Sequence, residues 1–129
     1  MKILAVRLKP DQDLKEQLKN IANDEDIKAG FMVTAIGSLK QATIRFANQA
    51  ESTVLNDKFE ILSLNGTIAT TGIHLHIAIA DSQGKTIGGH LDYGCIIYTT
   101  AEIIIGSSSN FSFTRTHEEL TGYNELEIL

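Results

Sequence analysis

The sequence predicts an α+β fold: a curved, largely antiparallel β-sheet or barrel-like core with one main amphipathic helix. Three observations predict it. Only Leu14, Leu18, Ile21 and Ala22 show the apolar spacing of a helix face. From Gly30 onward, Ile, Thr, Val and Phe gather in short runs separated by glycine or polar residues, which is the signature of strands. Hydrophobic residues make up 43% and charged residues 21% of 129 positions, a globular balance with enough chain for one core and too little for two. A single domain over residues 1–129 is therefore expected.

In chain order, Lys2 to Leu8 alternate weakly and read as a strand. Pro10 breaks that pattern, and Asp11 is placed to cap a helix that ends near Asn23 to Asp26, because a carboxylate there accepts from unpaired backbone N–H groups. The strand candidates are Phe31–Ile36, Ala42–Ala47, Phe59–Ala69, Ile73–Ala80, Thr86–Leu91, Ile96–Ile105 and Phe111–Thr116. Tyr93 to Thr100 fits either a short helix or a strand. Gly106 to Asn110 reads as a loop. The acidic tail from Glu118 to Leu129 offers Leu120, Leu126 and Ile128 as anchors.

No apolar run approaches the ~20 residues of a membrane span, and the apolar start is too short for a signal peptide. One cysteine, Cys95, permits no internal disulfide and reads as an inert buried thiol, so a cytoplasmic location is expected. The net charge is −5, and no three basic residues are adjacent. Tight nucleic-acid binding draws on clustered cations, so the charge balance argues against DNA as a strong partner.

The chemistry concentrates in Gly72 to Ala80, Gly-Ile-His-Leu-His-Ile-Ala-Ile-Ala. Side chains alternate faces along a strand. Ile73, Leu75, Ile77 and Ile79 then share a core face, while His74, His76, Ala78 and Ala80 share the other. Asp81 to Lys85 reads as a hairpin turn with a three-residue loop, Ser82-Gln83-Gly84, and Gly84 takes the positive-φ position. That register sets Asp81 opposite Lys85, Ala80 opposite Thr86, Ala78 opposite Gly88 and His76 opposite His90. Directly opposed residues have Cβ atoms about 4.5–5.5 Å apart, so His74, His76 and His90 converge. Three neutral imidazoles suit a divalent metal, zinc first, and leave a fourth position for water or substrate. The plainer alternative is a set of ordinary exposed histidines, with a bulge at Gly88-Gly89 turning His90 off the face. Glu60 reads either as an acid near the metal, a possible general base, or as a surface residue. Asp92 and His117 read as surface residues or as partners of the ligands.

The motifs resemble those of the plants-and-prokaryotes-conserved (PPC) domain family. The resemblance runs through Arg7-Leu8-Lys9-Pro10 with Asp13-Leu14, Ala29-Gly30-Phe31, Gly37-Ser38-Leu39 and Phe59-Glu60-Ile61-Leu62-Ser63-Leu64-Asn65-Gly66. It continues through His74-Leu75-His76, Gly88-Gly89-His90-Leu91, Thr100-Ala101-Glu102, Arg115 and Thr121-Gly122. Asp11 stands where the family commonly has glycine after proline. The resemblance implies a homotrimer of compact β-rich subunits with a metal on His74, His76 and His90. It also implies a DNA-binding, regulatory label. Plant members place an AT-hook before the domain; no Arg-Gly-Arg run occurs here, so the label is carried by fold-level analogy. The histidine pattern is also similar to that of acetolactate decarboxylase, which implies the alternative of a zinc-dependent lyase or hydrolase acting on a small molecule.

Overall fold

In the computed structural model, which describes residues 1–129, 60% of the chain is strand and 9% helix. The elements are β1 (Lys2–Leu8), α1 (Leu14–Asp24), β2 (Gly30–Arg45), β3 (Thr53–Leu55), β4 (Phe59–Ala69), β5 (Gly72–Ala80), β6 (Thr86–Leu91), β7 (Ile96–Ser107), β8 (Phe113–Glu118) and β9 (Tyr123–Ile128). The main sheet runs β1-β7-β2-β4-β5-β6, with β3 beside β2, and every pairing is antiparallel. The expected fold class is the one observed. The sheet is curved and is not a closed barrel.

The curvature comes mainly from β2. Two separate strands were expected across it, at 31–36 and 42–47, but one 16-residue strand spans both and stops at Arg45. Register shifts at Met32/Thr34, Gly37/Leu39 and Leu39/Gln41 bend it against β7. Such bulges sharpen twist without ending a strand. The bend carries the far end of β2 to β6, where Ile44 pairs with Leu91 and Arg45 with His90. The sheet thereby curls around its own core, which includes the fully buried Leu39, Ile44, Ile68, Leu75, Ile79, Ile97, Ile103 and Ile105.

Helix α1 closes the core with Leu14, Leu18 and Ala22, each buried leucine contributing about 1.5–3 kcal/mol. Its cap is Asp13, not Asp11. Asp11 takes a φ of 72° in the turn after Pro10, whereas Asp13 is extended and accepts from the Glu16 amide. The second Asp13 oxygen accepts from the Gly94 amide at 2.6 Å, which ties the helix start to the turn between β6 and β7. The ambiguous stretch from Tyr93 becomes strand from Ile96 onward. The tail is not anchored as expected. β8 and β9 form their own two-stranded hairpin; Leu120 and Ile128 stay exposed, while Leu126, 37% exposed, borders a depression with Asn65, Thr67 and His74. No helix is long and apolar enough to cross a membrane.

Candidate metal centre

The hairpin of β5 and β6 has the register that its turn residues dictate. His76 pairs with His90, Ala78 with Gly88 and Ala80 with Thr86, without a shift at Gly88-Gly89. The Asp81 amide donates to the Lys85 carbonyl at 3.0 Å, and Gly84 has a φ of 79°. Across β5 the alternation is clear. Leu75, Ile77 and Ile79 are buried, while His74 and His76 are exposed and His90 is half-buried. In the isolated chain His74 and His76 therefore stand open to solvent, while His90 is partly covered.

The three rings meet with centroid separations of 5.2, 5.5 and 6.0 Å. One ligand atom from each lies within 4.8 Å of the others. Tetrahedral zinc with bonds of about 2.0–2.1 Å needs donor atoms roughly 3.4 Å apart. The Nδ1 atom of His90 is buried and has no hydrogen-bond partner, which is costly for a polar atom unless it has another ligand to serve. The residues thus fit a divalent ion.

The electrostatics keep lone pairs available. Burial lowers the His90 pKa from 6.5 to about 4, assisted by the charges of Arg45 and Lys15. Burial also lowers the pKa of His74, followed by the charge of Arg115. Both imidazoles are neutral at physiological pH, the form that binds metal.

The other candidates stand apart. Glu60 pairs with Ala80, four residues along β5 from His76 and so about 13 Å away. It lines a different depression with Leu62 and Tyr98, apart from the histidine triad. Asp92 is held by the Ser52 hydroxyl at 2.7 Å and the Tyr93 amide at 2.8 Å. The Ser52 hydrogen bond is the main cause of its lowered pKa. His117 is exposed on β8 opposite Asn124. Cys95 is buried against the Thr43 backbone, and burial raises its pKa to about 11, as suits an inert thiol.

Sequence reasoning missed the charged side chains around the histidines. Arg45, Arg115 and Glu125 line one groove with His74 and His90. Arg115 also borders a second depression with His74 and His76. The exact pairing of Arg45 with His90 was the signal available, but it required knowing that β2 bends as far as β6.

The chain is thus a curved antiparallel sheet with one helix and a histidine triad on its surface. The chain belongs to the Plants and Prokaryotes Conserved (PCC) domain family, whose model matches residues 1–109. It is 48% identical over 128 residues to the bifunctional protein GlmU of Synechococcus sp. (strain JA-3-3Ab), a match covering 99% of this chain and 21% of that protein. The chain spans about a fifth of the length of the curated GlmU relatives it matches. Among solved structures, a hypothetical protein from Salmonella enterica superposes with a TM-score of 0.97 at 38% identity, covering 99% of this chain and 93% of the other. A metal-containing protein from Archaeoglobus fulgidus shares the fold with a TM-score of 0.81 at 24% identity, covering 98% and 94%.

Proposed function

We propose that the chain is a metal-binding module that assembles as a homotrimer and holds one divalent ion, zinc first, through His74, His76 and His90. The observation that carries this reading is the convergence of three imidazoles, each with a ligand atom within 4.8 Å of the others; the buried Nδ1 of His90, which has no hydrogen-bond partner, supports it. The metal content of the Archaeoglobus protein of the same fold is consistent with it. When bound, the ion supplies positive charge and an open coordination position. The role favoured is regulatory or partner-binding. The alternative, a zinc-dependent lyase or hydrolase acting on a small molecule, loses support because Glu60 lies in another depression.

Support for self-association comes from the sheet surface. Ile36, Leu62 and Tyr98 are each more than two-fifths exposed and border one depression. Ala80, at the far end of the histidine row, borders it too. One helix leaves such a face uncovered, and cyclic assembly buries it. The test is elemental analysis of protein purified without chelator, together with light scattering. One ion per chain and a trimer are expected; metal-free protein or a monodisperse monomer refutes the corresponding part.

DNA is a weak partner in this reading. With a net charge of −5, phosphate neutralisation has little to draw on. Fluorescence anisotropy at physiological salt is expected to show only weak, salt-sensitive binding to duplex DNA. Tight, sequence-selective binding by this chain alone contradicts that expectation.

A further inference from the structure

We propose that the groove beside the histidines binds a small hydroxylated oxyanion, through a carboxylate or phosphate group held by Arg45 and Arg115 next to the metal position. The proposal deepens the metal-binding reading and rests on it. It also gives the β8–β9 hairpin a purpose. That hairpin lies beyond the 1–109 span of the family match, yet it supplies Arg115, Tyr123, Asn124 and Glu125 to the groove wall.

The local geometry places both guanidiniums at the site for definite reasons. Arg45 stands directly opposite His90 in the β2–β6 pairing, so its side chain leaves the same face at short range. Arg115 reaches the site across β5. Gly72 shares a face with His74 and His76, and its missing side chain leaves room for the Arg115 stem, which would lie 3.2 Å from a Cβ there. Its Nη2 donates to the Thr67 hydroxyl at 3.0 Å, and Thr67 is the cross-strand partner of His74. The hairpin itself is fixed in place. The Thr71 hydroxyl donates to the Phe113 carbonyl at 2.6 Å, and the Phe113 amide donates to the Lys28 carbonyl at 2.8 Å.

Neither guanidinium is matched by a carboxylate. The ion pairs of the chain are Lys2–Glu25, Lys28–Asp26 and Lys40–Asp11, all elsewhere. Arg45 makes one long contact, to the Gln49 carbonyl at 3.4 Å. Each guanidinium has five N–H donors, so most remain free, and their planar fork matches carboxylate and phosphate. Two cationic side chains with a divalent ion outweigh Glu125, the one acid of the groove. Glu125 is then an acceptor for a ligand hydroxyl, and the amides of Asn48, Gln49 and Asn124 add polar contacts. The groove volume, about 610 Å³, suits a metabolite-sized molecule.

The test is isothermal titration of the full chain with two probes, inorganic phosphate and lactate, and elemental analysis of the same samples. At least one probe is expected to bind the wild type; which one does so separates a phosphate from a carboxylate ligand. Arg45→Gln and Arg115→Gln should each weaken it about tenfold at unchanged metal content. Arg115→Lys should recover only part of the loss, because an ammonium lacks the fork. Absence of binding by either probe, or equal binding by the wild type and both glutamine variants, overturns the proposal. The two readings fail separately. Metal-free wild-type protein sinks the metal assignment, while arginine-dependent oxyanion binding by that same protein sustains the groove assignment.

Discussion

Replacing His76 with alanine is expected to abolish stoichiometric metal binding while leaving the fold intact. His76 is exposed, and its neighbours Leu75 and Ile77 hold β5 to the core from the other face. Truncation therefore opens no cavity, and the stability change should stay within about 0.5 kcal/mol. The proposed site would lose one of its three protein ligands. Altering an outer partner of a ligand already costs about 10–100-fold in affinity, so direct removal should cost more. His117→Ala is the control. His117 sits on the hairpin, outside the triad, and that variant should keep its metal. Elemental analysis after gel filtration, with urea unfolding of each variant, reads both effects. Full metal content in His76→Ala refutes the assignment of the triad.

The histidine cluster was legible because every inference behind it is local. Alternation assigns faces along β5, and a three-residue turn fixes the pairing of β6. Neither step needs the rest of the fold. The core side of β5 followed from the same alternation, as did the helix face of Leu14, Leu18 and Ala22. What was not legible depends on long-range geometry. Bulges let β2 continue through Gly37, where composition alone suggests a break. The capping choice turned on the backbone after Pro10, since Asp11 and Asp13 are chemically identical candidates. Glu60 was a reasonable acid until the β4–β5 register set it four residues from His76. Arg45 gave no sign in the sequence, and Arg115 stood out only as a motif position with no link to the histidines, because three distant segments, the ends of β2 and β6 and the hairpin, have to meet first.

Gly66→Ala is expected to destabilise the protein by about 2–4 kcal/mol and to cost it the metal as well. Gly66 pairs with Leu75 on β5 and has a φ of 138°, in a region that residues with a Cβ rarely occupy. A Cβ there would collide with the His74 carbonyl oxygen and press on the Leu75 Cα at 3.1 Å. Both are backbone atoms, so no rotamer change relieves the contact, and the strands must separate. His74 is the residue displaced, which couples this packing defect to the proposed metal centre. Gly84→Ala separates strain from collision. Gly84 also has positive φ, at 79°, but nothing lies within 4 Å of a Cβ placed there. It should lose only about 1 kcal/mol and keep its metal. Thermal unfolding should show a Tm drop on the order of 10 °C for Gly66→Ala and a few degrees for Gly84→Ala. If Gly66→Ala unfolds within a degree or two of the wild type and keeps its ion, the close approach of β4 to His74 does not hold the site in place.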